Sequence, residues 1–194
     1  MSHPTPEPDP EQELIVRAQR GDHEAQDALF RQHLPGVHAW VRLKCSDLVR
    51  QRESSLDIVQ SVFRRVLMDL PKFEYRGPNG FRNWLLTYAE NQLRNREQFH
   101  RAERRSPAHE ADMSLSQLYA SICTPSQLLS AKEQIERFER AFAGLPPKDQ
   151  ELILLARFEH LSHAAIGQRL GLTEAASKKA LSRALVRLAS RLES

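Results

Sequence analysis

Residues 81–105, FRNWLLTYAENQLRNREQFHRAERR, combine aromatic rings, asparagines and arginines with no proline or glycine among them. An unbroken stretch of this kind reads as one long α-helix. Phe81, Trp84, Leu85 and Tyr88 recur at helical spacing as an apolar stripe, which is more often core than a platform for stacked bases. Arg82, Asn83, Glu90, Asn91 and Arg94 take the other side, followed by Arg101, Arg104 and Arg105. Five arginines from Arg94 to Arg105 stand against only Glu97 and Glu103, so phosphate contact explains this side better than a merely solvated face.

Working outward, long segments repeat apolar residues every three or four positions and strand signals are scarce, which predicts an all-α protein. Glu11–Arg20 and His23–His33 read as a helix pair broken near Gly21, with Pro35 stopping the second. Val37–Val49 then forms a separate element. Ser54 or Ser55 can cap the next helix, in which Ile58, Val59, Val62, Phe63, Val66, Leu67 and Leu70 form a stripe that ends at Pro71. Lys72–Gly80, KFEYRGPNG, holds two glycines and a proline and reads as an irregular loop. From Ser106 to Cys123 the pattern dissolves into a linker. Thr124-Pro125-Ser126-Gln127 then restarts helix with a reciprocal capping arrangement.

The expected architecture is two small helical domains on a flexible linker: a disordered start at 1–10, a front bundle at 11–105, the linker at 106–123 and a rear bundle at 124–194. The formal net charge is +3, but it is unevenly spread. Acidic residues collect before Asp27 and between Glu110 and Glu139, leaving basic excess from Arg76 to Arg105 and beyond Arg157. Cys45 and Cys123 are remote from each other and no CxxC pair exists, so neither a disulfide framework nor a zinc site is implied. No apolar run is long enough to span a bilayer, and the acidic, proline-rich start lacks the character of a secretory signal, which places the chain in the cytoplasm. The histidines His100, His109, His160 and His163 lack the spacing of a zinc helix. With no nucleophile elbow or phosphate-binding glycine loop either, no enzyme and no cofactor are expected.

The rear segment from Ser162 to Leu192 reads as short helix, Gly171 turn and longer helix, the plan of a helix-turn-helix. Leu181, Ala184, Leu185, Leu188 and Leu192 share one face of the last helix. Ala175, Lys179, Ser182, Arg183 and Val186 point the other way, where Lys178, Lys179, Arg183 and Arg187 can reach phosphates or guanine edges. Such a unit also suits a conventional helix-turn-helix regulator whose front domain dimerises or senses.

DIVQSVFRRVL at 57–67, FRNWLLTYAEN at 81–91, LPPKDQE at 145–151 and the terminal helix-turn-helix together resemble an extracytoplasmic-function sigma factor of the sigma-70 family. The resemblance implies a subunit that brings core RNA polymerase to promoter DNA, with region 2 in front for the −10 element and region 4 behind for the −35 element. Asp57, Gln60, Ser61, Phe63 and Arg64 would then face the clamp helices of the β′ subunit. Tyr75, Arg76 and Asn79 would lie in the loop that captures a flipped −10 base, and Arg82, Trp84, Asn91, Arg94 and Asn95 on the melting and recognition helix. Thr173, Ala175, Lys178, Lys179, Ser182 and Arg183, with Leu181 beside them, would serve the −35 element. The same resemblance implies contact of the rear domain with the β flap and an anti-sigma factor as a further candidate partner. Asn95 stands where many members carry aspartate, and Ala180, Leu185 and Val186 replace residues that are commonly basic.

Overall fold

The structure, a computed structural model, describes residues 9–102 and 125–193, and the side chains among them other than those of 125–132. Most of the expected disordered start, the linker at 106–123 and the cap at Thr124 lie outside the described residues. The front half contains α1 (Pro10–Gln19), α2 (His23–Lys44), the short α3 (Asp47–Arg50), α4 (Ser55–Asp69), a 3-10 turn (Leu70–Lys72) and α5 (Gly80–Ala102). The rear half contains α6 (Pro125–Ala143), α7 (Pro147–Arg157), α8 (His163–Leu170) and α9 (Glu174–Glu193). Every element among the described residues is helical.

Local chemistry sets most of the boundaries. The Asp9 side chain accepts from the Glu11 N–H at 3.0 Å, so Asp9 is the N-cap of α1 rather than part of a disordered start. Asp22 caps α2 through Ala25, and Ser54 caps α4 through Leu56. These acceptors satisfy N–H groups that have no partner inside their own helices.

Pro35 does not end a helix, contrary to the sequence expectation. It lies within α2, which runs unbroken to Lys44 and absorbs the expected Val37 element. Pro35 and Gly36 are exposed, while Leu34 and Val37 on either side are buried. The backbone pairing lost to the proline ring therefore faces solvent, and burial of the flanking face outweighs its cost.

In the front half α1 packs on α2, α4 on α5, and α2 against both. Leu29, Val37, Trp40, Val41, Ile58, Val62, Val66, Phe81 and Leu85 are almost wholly buried there. Each such side chain contributes about 1.5–3 kcal/mol relative to exposure. Leu67 departs from the expected α4 stripe and is 40% exposed, because the buried rows run 58, 62, 66, 70 and 59, 63, leaving it past their edge.

In the rear half α9 packs against α6, α7 and α8, burying Leu181, Ala184 and Leu188 against Leu152, Leu155 and Ile166. The turn between α8 and α9 depends on two glycines. Gly171 has φ +67°, and a Cβ on Gly167 would stand 2.5 Å from the Leu172 carbonyl oxygen. That close approach accompanies a hydrogen bond from the Leu172 N–H to the Gly167 carbonyl at 2.8 Å. Polar contacts join the halves: the Arg42 guanidinium grips both carboxylate oxygens of Glu139 on α6, and Arg82 meets the His160 ring.

Candidate nucleic-acid interface

On α5 the division into two faces is as the periodicity predicts, with qualifications at both. Asn91, Arg94 and Asn95 are exposed on the outer side. Arg96 is not a free cation: it donates to Glu53 at 2.5 Å, to Gln92 at 2.7 Å and to the Ser61 hydroxyl at 2.9 Å. His100, buried, lies 2.6 Å from the same Glu53 carboxylate. This network pins α5 to α4 and to the turn before it, so part of the basic run is structural. Arg82 is occupied by His160 of the rear half.

The aromatic stripe is core at Phe81 and Leu85 but only half-buried at Trp84 and Tyr88. The Trp84 ring lies 4.8 Å from Phe73, 5.7 Å from Phe81 and 5.0 Å from Tyr88 between centroids. The Tyr88 hydroxyl donates to Asp69 at 2.9 Å, fixing the end of this row. Trp84 thus braces the bundle and still shows part of its ring, a mixture that spacing alone assigned wholly to the interior.

The loop before α5 turns through left-handed backbone at Gly77 and Asn79, with φ of 91° and 64°. Arg76 is exposed and pairs with Glu74 at 3.0 Å. Tyr75 is not a free ring: its hydroxyl donates to the Asp9 carboxylate, and that hydrogen bond above all pushes the phenol up to about 12. At the loop's start the Gln19 amide donates to the carbonyls of Leu70, at 3.1 Å, and Phe73, at 2.7 Å. Nothing in the local sequence of Asp9 or Gln19 signals these contacts, which span more than fifty residues.

On α4, Arg64 is exposed, with Met68 67% exposed and Leu67 beside it; Asp57 and Gln60 are half-buried at the helix start. Phe63 is 6% exposed and its ring packs edge-on against Phe30 at 4.8 Å, so it supports this face from beneath. Ser61 is likewise engaged internally, donating to the Asp57 carbonyl at 2.9 Å while accepting from Arg96. Exposed Leu67 and Met68, read as core or not singled out from the sequence, are the apolar part of this surface.

Behind α5, His33 is buried with its ring 5.2 Å from Phe81. Burial, with the charge of Arg82 adding to it, holds the imidazole down at about 4. The Glu11 carboxylate oxygen lies 3.0 Å away, but neither ring nitrogen makes an aligned hydrogen bond. Burial also raises Glu11. Desolvation therefore governs this contact, which is not a working ion pair.

On α9, Ala175, Lys178, Lys179, Ser182, Arg183 and Val186 are all exposed, opposite buried Ser177, Leu181, Ala184 and Leu188. Leu181 is therefore part of the rear core. Thr173 caps the helix through the Ala176 N–H at 3.1 Å. Lys178 pairs with Glu174 at 2.7 Å one turn earlier. Arg187, read from the sequence as able to reach DNA, instead grips the Asp149 carboxylate of α7 with two hydrogen bonds of 2.6 and 2.9 Å. Among the described residues no group of histidine, cysteine and carboxylate side chains is placed to hold a metal ion. No described helix is long and apolar enough to cross a membrane.

Two family models match the chain: Sigma-70 region 2 over residues 29–105 and Sigma-70 region 4 over 135–188. Among characterised proteins, the ECF RNA polymerase sigma factors SigD of Mycobacterium bovis and of Mycobacterium tuberculosis are each 26% identical over 175 residues, spanning 90% of this chain and 80% of theirs. Among solved structures, that of CnrH in complex with the cytosolic domain of CnrY aligns with a TM-score of 0.56 at 21% identity, covering 95% of this chain and 98% of CnrH. The helical fold, the α9 face and the ordered pair of region matches agree: the chain belongs to the sigma-70 family and is an RNA polymerase sigma factor of the extracytoplasmic-function type.

Proposed function

We propose that this sigma factor directs core RNA polymerase by holding the −35 element on the exposed face of α9 and the opened −10 strand on α5 and the loop before it. The observation that carries this reading is α9: small Ala175 and Ser182 with Lys179 and Arg183 on its exposed face, opposite a face buried in the rear bundle. Small residues permit close approach to the groove, while the cations serve phosphates or guanine edges. Thr173 and Lys178 stand at the helix start, where one orders the first turn and the other lies within reach of the backbone.

In front, Asn91, Arg94 and Asn95 take the non-template strand, Arg76 and Asn79 flank the captured base, and Trp84 offers its exposed part for stacking. Arg82 joins them once His160 moves away. The chain does no chemistry of its own. Each stacked base contributes about 1–3 kcal/mol, comparable with the few kcal/mol needed to unpair it, so opening succeeds only with further contacts from polymerase. Those contacts are assigned to Asp57, Gln60 and Arg64 with Leu67 and Met68 against the β′ clamp helices, and to the rear half against the β flap. The setting is the cytoplasm. An anti-sigma factor is a further partner in this reading, as CnrH is found with the cytosolic domain of CnrY.

In vitro transcription with purified core polymerase and fragments of the source genome tests the proposal. Initiation from a defined set of upstream sequences is the expected result. Tight binding of the chain alone to duplex sites as a dimer, without association with core polymerase, would replace it with a conventional regulator.

A further inference from the structure

Helix α1 lies outside every group of residues so far given a role in DNA or polymerase contact, yet both its ends hold the loop that precedes α5. At its C-terminal end the Gln19 amide satisfies two backbone carbonyls, of Leu70 and Phe73, where the chain leaves the 3-10 turn. At its N-terminal end Asp9 uses both carboxylate oxygens: one takes the Glu11 N–H at 3.0 Å and the other takes the Tyr75 hydroxyl. Ten residues of helix separate these holds, about 15 Å at 1.5 Å per residue, so α1 lies along the loop as a splint.

A carboxylate beside a surface that meets DNA repels phosphate, so Asp9 is poorly suited to contact the nucleic-acid backbone. Its two acceptor oxygens suit a different task, fixing one side chain while capping one helix. The phenol hydroxyl is thereby committed to protein. With Phe73 packed on Phe81 and Trp84 at 5.2 and 4.8 Å, two of the loop's aromatic residues are anchored. Arg76 remains exposed, next to the left-handed turn at Gly77 and Asn79.

We propose that Asp9, with Gln19, is a positioning residue for the −10 loop: it withholds the Tyr75 hydroxyl from the captured base and sets the loop so that the base is met by ring face and by Asn79. The inference rests on the function proposed above, and two measurements separate its failure from the failure of that function. Hydrogen exchange of the full chain without DNA reads loop order alone. Asp9→Ala and Gln19→Ala are expected to speed exchange in residues 73–79, and Asp9→Asn, whose single acceptor oxygen can cap α1 or hold the Tyr75 hydroxyl but not both, to do so by less than Asp9→Ala; unchanged exchange in both alanine variants overturns the inference whatever the protein's function.

The second measurement uses reconstituted holoenzyme and fork-junction DNA carrying each of the four bases at the loop-facing position, the flanking sequence being chosen by selection with the wild-type enzyme. Asp9→Ala and Tyr75→Phe are each expected to reduce discrimination among the bases on the order of tenfold, the loss of one charged hydrogen bond, and to be non-additive when combined. Asp9→Asn, lacking the charge and the second acceptor, should restore only part of that discrimination, and core-polymerase affinity should stay constant throughout. Wild-type discrimination in Asp9→Ala, or additive effects of the two substitutions, overturns the inference. A wild-type holoenzyme that selects no sequence overturns the proposed function instead.

Discussion

The Arg187 guanidinium on α9 closes on the Asp149 carboxylate of α7 through two parallel hydrogen bonds, joining the helix-turn-helix to the helix that precedes it. A cation that in sequence looks like a fourth DNA contact is thereby committed to holding α9 at its angle. Asp149 is buried and has no comparable second partner among the described residues, so losing the arginine would leave its charge poorly compensated. Arg187→Ala is expected to lower the Tm of the rear domain by several degrees, read by differential scanning calorimetry, with DNA binding falling in parallel.

Arg183→Ala should behave in the opposite way. Its side chain is exposed, with one long 3.3 Å contact to the Lys179 carbonyl, so the fold should tolerate its loss. Binding to −35 duplex by holoenzyme should weaken by about 1–3 kcal/mol with relaxed specificity if Arg183 reads a base, or evenly with a salt slope lower by about 1 if it touches phosphate. Titration at several salt concentrations distinguishes the two outcomes.

Gly167→Ala should destabilise the rear half by about 1–3 kcal/mol, the usual cost of forcing an extra methyl into a packed site. The obstacle is backbone, the Leu172 carbonyl oxygen at 2.5 Å, and cannot rotate aside. Urea denaturation followed by circular dichroism provides the measurement. A neutral result would mean that the turn packs more loosely than described.

Phe81 and Trp84 should separate stability from strand opening. Phe81→Ala, at a fully buried site, is expected to cost about 3–5 kcal/mol. Trp84→Ala removes a half-buried ring and should cost less, while reducing promoter melting by holoenzyme, followed by permanganate reactivity of unpaired thymines. Equal destabilisation with unaffected melting would return Trp84 to a purely structural role.

Acid should weaken the front domain. His33 binds a proton only near pH 4 when folded, against 6.5 for an ordinary imidazole, so between these values the unfolded chain carries more protons. Stability is then fully present above about pH 6.5 and declines as pH falls toward 4. His38, also held at about 4 by burial, acts in the same sense. His33→Gln should flatten part of the slope in denaturation curves collected across this range.

Periodicity, caps and glycine turns are properties of neighbouring residues, so they were readable along the chain. They yielded the α4 start at Ser54, the buried row of α4 apart from Leu67, the two faces of α9 and the turn at Gly171. Pro35 misled because its meaning depends on which side of α2 faces water. Arg96 and Arg187 were read as open contacts for a shared reason: a helical wheel gives the direction of a side chain but not what stands opposite. Their partners, Glu53 and Asp149, lie 43 and 38 positions away in the sequence. Local order in an α-helix is set within about four residues by its i to i−4 hydrogen bonds, so it could be inferred without a fold. Which cations stay open to DNA depends on long-range pairings that exist only once the helices have packed.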